Sequence, residues 1–200
     1  MIFVISGPSA SGKTTLVKHV RDVMSEVDFS ISCTTRPRRP EDASDAQDYD
    51  FIDDKTFEKR IKDGYFAEWE EVHGNRYGTP WNQIKKASDT AGGETDVVLD
   101  VDVKGARNIK ERFPEAVLFF VVPPSMEVLR ERLEKRNTET DTSINKRLVS
   151  LKDELSFIHQ YDYVIVNNKL SEARKEIETA IEMFRTRKDK IDHIKAAYLE

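Results

Sequence analysis

The sequence has almost no cysteine and no long apolar run. Its 200 residues include one cysteine, Cys33, which has no second cysteine in the chain with which to form a disulfide. A chain of this kind fits a reducing compartment. No stretch approaches the ~20 apolar residues that a membrane-spanning helix needs, and residues 1–6 are too short for the apolar part of an export signal. We therefore expect a cytoplasmic protein with no membrane partner.

The chain also lacks an excess of positive charge, internal repeats and low-complexity segments. Its formal net charge is −5, with 34% charged and 9% aromatic residues, which is typical of a globular domain. A nucleic-acid-binding surface needs a basic patch, so we expect no nucleic acid partner. Two hundred residues can bury one full core with smaller inserted units, and the composition leaves open whether the protein is a monomer or a homo-oligomer.

Four short apolar runs predict buried strands. The runs are 2–6, 97–101, 117–122 and 163–166. They are rich in Val, Ile and Phe and are separated by helix-like segments, an alternation that favours a parallel sheet covered by helices on both faces. Apolar spacing predicts helices over 13–26 and 170–184, and the polar residues 188–200 are expected to form a further, loosely packed helix.

Two regions depart from this pattern and predict inserts in an α/β core. The strand-like pieces at 48–53 and 65–72 are half polar, which suits a small sheet with one solvated face. Residues 125–160 are charged and helical in character. The expected division of residues 1–200 is a core of 1–32, 82–124 and 155–200, a mixed α/β insert of 33–81 and a helical insert of 125–154.

Residues Gly7–Thr14 match the pattern G-x-x-x-x-G-K-[ST] at every fixed position. In such a loop, backbone amides and a helix N-terminus hold phosphate oxygens, so we expect it to bind a nucleoside triphosphate, ATP. Lys13 would reach the β- and γ-phosphates, and Thr14 would ligate Mg²⁺. The expected ATP-binding residues are Gly7, Pro8, Ser9, Ala10, Ser11, Gly12, Lys13, Thr14 and Thr15. The pattern alone leaves open a simpler alternative, a Ser/Gly-rich turn that caps a helix.

Further motifs follow the phosphate loop in a fixed order. They are SCTTRPRRPED (32–42), YDF (49–51), AEWEEVHGNRYGT (67–79) and LDVDVKG (99–105). Together with the loop they resemble the guanylate kinases, which transfer a phosphoryl group from ATP to GMP with Mg²⁺. The resemblance extends over nearly the whole chain. It implies a P-loop NTPase-type α/β fold in which residues 33–81 bind GMP and residues 125–154 form a mobile lid.

The resemblance implies a clamp for the GMP phosphate made of Arg36, Arg39, Tyr49 and Tyr77. Arginine forks match phosphate oxygens in pairs, although a basic turn can also be plain solvated surface. It further implies that Glu68 reads guanine, because one carboxylate can accept both N1–H and N2–H, whereas adenine presents an acceptor at N1. A single strand glutamate is by default exposed, and that reading stays open. The other implied base contacts are Ser32, Thr79 and Asp102.

Asp100 lies at the end of a predicted core strand and Asp102 just after it, where ligands of open parallel sheets bind. Asp100 is expected to help Thr14 hold Mg²⁺, but either aspartate could instead cap the next helix. The resemblance implies that Lys13, Arg39 and three lid arginines act on the transferring phosphoryl group, whose charge needs cations. The lid arginines are Arg132, Arg136 and Arg147. The spacing of Arg132 and Arg136 also allows ion pairs with Glu131, Glu134 or Glu139. Asn167 matches a position near adenine.

Three functions compete on this reading. The first is an ATP:GMP phosphotransferase that also accepts dGMP, the second a non-catalytic peptide-binding module of the same fold, and the third a kinase of another phosphorylated acceptor such as a ribose phosphate. Lys13 and Thr14 favour an enzyme, and Glu68 would be useless to a sugar phosphate kinase. The chain departs from the family pattern at Ala10, where glycine is frequent, and at Glu41–Asp42, next to the proposed clamp.

Overall fold

The computed structural model describes residues 1–38, 49–72, 74–88, 95–135 and 141–199. Its strands are β1 (Ile2–Ser6), β2 (Val27–Phe29), β3 (Ser32–Thr34), β4 (Tyr49–Phe51), β5 (Phe66–Val72), β6 (Asn75–Pro80), β7 (Asp96–Asp100), β8 (Val117–Val122) and β9 (Tyr163–Val166). Its helices are α1 (Lys13–Val23), α2 (Asp54–Lys62), α3 (Trp81–Ser88), α4 (Val103–Arg112), α5 (Met126–Glu134), α6 (Asp141–Leu155) and α7 (Leu170–Leu199), with a short 3₁₀ helix at Ile158–Gln160.

The larger sheet is parallel and has the strand order β2-β7-β1-β8-β9. The four apolar runs of the sequence form four of its strands, and β7 begins one residue earlier than predicted. The edge strand β2 was not predicted, because it has only three residues and includes the polar Asp28. The α/β fold class predicted from the sequence is confirmed.

Helices cover both faces of this sheet. Within β1, Phe3 and Ile5 belong to the apolar cluster that α1 and α7 close. Ile2 and Val4 belong to the opposite cluster, which α3 and α4 close. Burial on both faces explains why the strands are continuously apolar. It also leaves the carboxyl ends of the strands as the part of the sheet where polar ligands can bind.

The smaller sheet is mixed and has the strand order β4-β3-β6-β5. Strand β3 pairs in parallel with β4, and β6 pairs antiparallel with both β3 and β5. Helix α2 packs on it through Phe57, whose ring stacks on Phe66 with centroids 4.6 Å apart. This sheet carries five of the residues expected to contact GMP, namely Ser32 on β3, Tyr49 on β4, Glu68 on β5, and Tyr77 and Thr79 on β6.

The prediction of a separate helix over 188–200 is wrong. Residues Leu170–Leu199 form the single helix α7, because no glycine or proline lies between 184 and 188 to end it. Residues 186–198 are exposed along its outer part. Within the described ranges, none of the helices is both long and apolar enough to cross a membrane.

Candidate active site

A cleft of about 580 Å³ opens beyond the carboxyl ends of β1 and β7. The phosphate loop, the smaller sheet and α6 all contribute to its wall. It brings together most of the residues that the sequence singled out. These are Gly7, Ser9, Ala10, Gly12, Lys13, Thr14, Thr15, Ser32, Arg36, Tyr49, Glu68, Tyr77, Asp100, Asp102 and Arg147. Arg39 and Arg136, two predicted site residues, lie outside the described residues.

The phosphate loop has a backbone that requires glycine at two positions. Gly7 has φ +144°, and a Cβ there would lie 2.1 Å from the carbonyl oxygen of Val121. Gly12 has φ +92°, and a Cβ there would lie 2.2 Å from the side-chain amide of Asn167. Ala10 is the one non-glycine residue with positive φ in the described ranges, at 65°. This conformation costs a non-glycine residue ~1–2 kcal/mol, so the frequent glycine of the family has a backbone reason.

Lys13, Thr14 and Asp100 meet where the loop enters α1. The Thr14 hydroxyl donates to Asp100 Oδ2 at 3.0 Å, and Lys13 Nζ lies 3.7 Å from Asp100 Oδ1. A hydroxyl and a carboxylate at this point are hard oxygen donors, and Mg²⁺ typically takes one or two protein oxygens beside phosphate and water. The residues present therefore fit Mg²⁺.

The helix-capping alternative is wrong for Asp100 and right for Asp102. The N-cap residue of α4 is Asp102, whose carboxylate accepts a hydrogen bond from Gly105 N at 2.9 Å. Asp100 lies at the end of β7 and bonds to the phosphate-loop side instead. Capping uses one carboxylate oxygen of Asp102, and the residue still lines the cleft.

Glu68 is buried, so the reading as an exposed strand carboxylate is wrong. Its side chain accepts a hydrogen bond from the Thr79 hydroxyl at 2.6 Å, and the residue is 7% exposed. Burial raises the pKa of Glu68 to about 7, with the Thr79 hydrogen bond opposing the shift and the charge of Asp102 adding to it. Burial also raises the pKa of Asp102. A buried carboxylate is stabilised by further hydrogen-bond donors, which a ligand in the cleft can supply.

Gly105 is a site residue that the sequence reading missed. A Cβ at this position would lie 3.0 Å from Glu68 Oε2 and 3.1 Å from Asp102 Oδ1. The glycine therefore lets the two carboxylates approach the same point of the cleft. The motif LDVDVKG contains this glycine, but the sequence gives no sign that the space above it is filled by carboxylates from two elements.

Arg36, Tyr49 and Tyr77 lie together on the smaller sheet. The guanidinium carbon of Arg36 is 5.5 Å from the centroid of the Tyr49 ring, and the Tyr49 and Tyr77 ring centroids are 6.1 Å apart. Arg36 also donates to the carbonyl of Pro37 at 2.9 Å. Ser32 pairs with Tyr49 in the sheet register and is 5% exposed. A cation that follows β3 and two phenols on the flanking strands β4 and β6 thus line the cleft.

Arg132 and Asn167 contact the backbone of the phosphate loop. Arg132 donates to the carbonyls of Asn167, at 2.8 Å, and Ser11, at 3.3 Å. Asn167, which is 4% exposed, donates from Nδ2 to the same Ser11 carbonyl at 2.8 Å. These bonds brace the loop, a role that the sequence did not suggest for either residue. Pro8 and Ser11 are themselves buried beneath the loop surface.

Arg147 approaches the loop from α6. Its Nη1 donates to the Ser9 hydroxyl. A cation from the helical segment that the sequence assigned to a lid therefore lies against the loop expected to hold phosphates.

Comparisons with known proteins agree with this geometry. The guanylate kinase family model matches residues 1–184. The guanylate kinase of Thermotoga maritima is 41% identical over 190 residues, which cover 95% of this chain and 88% of that protein. The guanylate kinase of Symbiobacterium thermophilum is 44% identical over 181 residues, with 90% and 84% covered. The crystal structure of guanylate kinase from Anaplasma phagocytophilum has a TM-score of 0.72 at 29% identity, covering 94% of this chain and 85% of that one. The chain therefore belongs to the guanylate kinase family.

Proposed function

We propose that this protein transfers the γ-phosphoryl group of ATP to GMP, and also to dGMP, giving ADP and the nucleoside diphosphate. The observation that carries the proposal is a pair of carboxylates, the buried Glu68 and the half-buried Asp102, in the same cleft as a complete phosphate loop. Guanine brings adjacent N–H donors to such a pair, whereas adenine brings an acceptor at N1.

On the ATP side, the loop amides and Lys13 bind the β- and γ-phosphates. Thr14 and Asp100 are the residues that would hold Mg²⁺, which supplies charge neutralisation on the phosphate oxygens when bound. Arg132 and Asn167 keep the loop in shape through the Ser11 carbonyl. Asn167 is also proposed to lie near the adenine ring.

On the acceptor side, Arg36, Arg39, Tyr49 and Tyr77 bind the GMP phosphate, while Glu68 and the neighbouring Ser32, Thr79 and Asp102 bind the base. Residues 33–81 act as the GMP-binding insert of a core made of 1–32, 82–124 and 155–200. The acceptor phosphate is itself the nucleophile and is largely ionised near neutral pH, because its second pKa is ~6. The reaction therefore needs positioning and electrostatic stabilisation rather than a protein base.

Residues 125–154 form the lid in this proposal. Arg132, Arg136 and Arg147 act with Lys13 and Arg39 on the charge that develops over the transferring phosphoryl oxygens. The Arg147 contact with Ser9 supports this assignment, because it joins the lid segment to the phosphate loop.

A coupled ADP-release assay with GMP, dGMP, AMP, UMP and ribose 5-phosphate tests the proposal. We expect GMP to be used far better than AMP, UMP or the sugar phosphate, and Mg²⁺ to be required. Equal use of AMP and GMP would remove the guanine-reading role of Glu68. Absence of turnover with every acceptor, in a protein that binds peptides, would instead favour the non-catalytic module.

A further inference from the structure

Glu154 is a half-buried residue of the cleft for which the proposed function so far has no role. It lies in α6 and lines the cleft together with Lys13, Asp102 and Arg147. Its Oε2 atom is buried and has no hydrogen-bond partner among the described residues. Burial raises the pKa of Glu154 to about 7, with the charge of Lys13 opposing and that of Asp102 adding to the shift. An unpartnered carboxylate oxygen is costly to bury, so a partner is expected in the working protein.

The position of Glu154 on α6 directs it at the phosphate loop. It follows Arg147 by seven residues, about two helical turns, so both side chains share one face of the helix. Arg147 contacts Ser9 of the loop. Helix α6 thus presents a cation and a carboxylate to the same loop, and the loop presents the ammonium of Lys13 to the cleft.

Lys13 needs a second acceptor once nucleotide is bound. Its ammonium is 3.7 Å from Asp100, which in the proposed function helps to hold Mg²⁺. A carboxylate that binds a metal is a poorer acceptor for the ammonium of Lys13. The ammonium has three N–H donors, and each of them needs an acceptor. Among the carboxylates of the cleft, Asp102 already caps α4 through Gly105. Glu154 has a free oxygen and lies within the electrostatic field of Lys13.

We propose that Glu154 is a positioning residue for Lys13. In the nucleotide-loaded protein its carboxylate accepts one N–H of the ammonium and so directs the other two at the β- and γ-phosphates. Protein kinases solve the same problem with a glutamate, carried on a helix, that holds the phosphate-binding lysine. This inference rests on the proposed function. If the pairing forms, helix α6 links the position of the lid segment to the orientation of Lys13.

The kinetic test compares Glu154→Gln with Glu115→Gln. The control makes the same substitution at an exposed position that does not line the cleft. We expect Glu154→Gln to lower kcat about 10- to 100-fold, the loss for one hydrogen bond to a charged group, without raising KM for ATP. We expect Glu115→Gln to leave kcat within about twofold, as exposed substitutions usually do. A rise in KM with kcat unchanged, or equal effects of both variants, would overturn the inference.

A double-mutant cycle identifies the residue through which Glu154 acts. In a Lys13→Ala background, Glu154→Gln should change the residual turnover by less than about twofold, because the group that it positions is gone. The proposal fails if the losses of turnover caused by Glu154→Gln and Lys13→Ala multiply in the double variant. If Glu154→Gln is instead non-additive with Arg147→Ala, Glu154 acts through Arg147.

A structural measurement separates this inference from the proposed function. In a crystal structure with a non-hydrolysable ATP analogue, Lys13 Nζ should lie within about 3.2 Å of a Glu154 carboxylate oxygen. A longer separation, with Oε2 bonded to water or to ribose, would refute the pairing whatever the acceptor specificity. Failure of the parent protein to use GMP would refute the proposed function but leave this distance as a test of the pairing.

Discussion

Replacing Glu68 by Gln should stabilise the protein at alkaline pH while impairing its use of GMP. The carboxyl group has a pKa of about 7 in the folded protein, against an ordinary glutamate pKa of 4.5. At pH values between 4.5 and about 7, the folded state therefore binds more protons than the unfolded state. The favourable contribution of the protonated group is fully present below 4.5 and is lost as the pH rises through 7.

The size of the stability change follows from the difference between the pKa values of Glu68 in the folded and unfolded states. Two to three pKa units correspond to ~3 kcal/mol of differential interaction, which sets the upper limit for the cost of the charged group at pH 8. Glutamine is neutral at every pH and its amide oxygen can accept the Thr79 hydrogen bond. We expect Glu68→Gln to raise the free energy of unfolding by ~1–3 kcal/mol at pH 8, and to change it little at pH 4.5. Urea titrations at both pH values measure this.

The effect on GMP runs in the opposite direction. An ionised Glu68 can accept two guanine donors, whereas glutamine brings one acceptor and one donor. The mispaired amide should cost ~1–3 kcal/mol in GMP kcat/KM. In the parent protein, ionisation of Glu68 should lower KM for GMP about tenfold between pH 6 and pH 8.

The ratio of parent to Glu68→Gln across this pH range isolates Glu68, since the acceptor phosphate titrates identically with both proteins. Glu115→Gln, at an exposed position outside the cleft, is the matched control and should change neither stability nor the pH profile. A Glu68→Gln protein that is less stable than the parent at pH 8, or whose GMP kinetics keep the parental pH slope, would refute the reasoning.

Four further outcomes are expected. Lys13→Ala should abolish most turnover with an unchanged circular dichroism spectrum, and near-parental turnover would contradict the loop assignment. Cys33, whose pKa burial raises to about 11, should resist iodoacetamide at pH 8 in the native protein, and Cys33→Ser should leave activity nearly unchanged. Arg147→Ala should lower kcat more than it raises KM for GMP, whereas Arg36→Ala should mainly raise that KM. Steady-state kinetics with one nucleotide varied at a time measures both constants, and the opposite pattern would contradict the two assignments. Deleting residues 188–200, which lie outside the matched family region and are exposed over 188–198, should shift Tm by no more than a few degrees in calorimetry.

The fold was predictable where local patterns have one physical meaning. The run Ile2–Ser6 is apolar at successive positions because both faces of β1 are covered, and the sequence shows this directly. Strands β2 and β3 were not predicted, since each has three residues and gains its hydrogen bonds from neighbours far along the chain. The boundary at 188 failed for a related reason, because a helix continues through polar residues when no breaker stops it.

Many residues that line the cleft could be named from the sequence, but the hydrogen bonds among the residues around it could not. The family resemblance indicated Arg132 and Asn167, yet their bonds to the Ser11 carbonyl join residues more than 100 positions apart. Glu154 had no motif to mark it. Its significance arises from burial and from the proximity of a phosphate-loop lysine, and neither is a local property of the sequence.

The distribution of charge in the cleft gives these assignments a common logic. A site for two anionic nucleotides would be expected to exclude carboxylates, yet burial raises the pKa of three of them, Glu68, Asp102 and Glu154. Buried carboxylates are tolerated where donors satisfy them. In the proposed function, guanine supplies donors to the first two, and phosphates bind the loop amides and the arginines; in the proposed pairing, Lys13 supplies a donor to the third. Removing one carboxylate should therefore raise the free energy of unfolding but remove a hydrogen-bond acceptor that the nucleotide-bound protein uses. This is the stability–activity trade-off expected of a functional site.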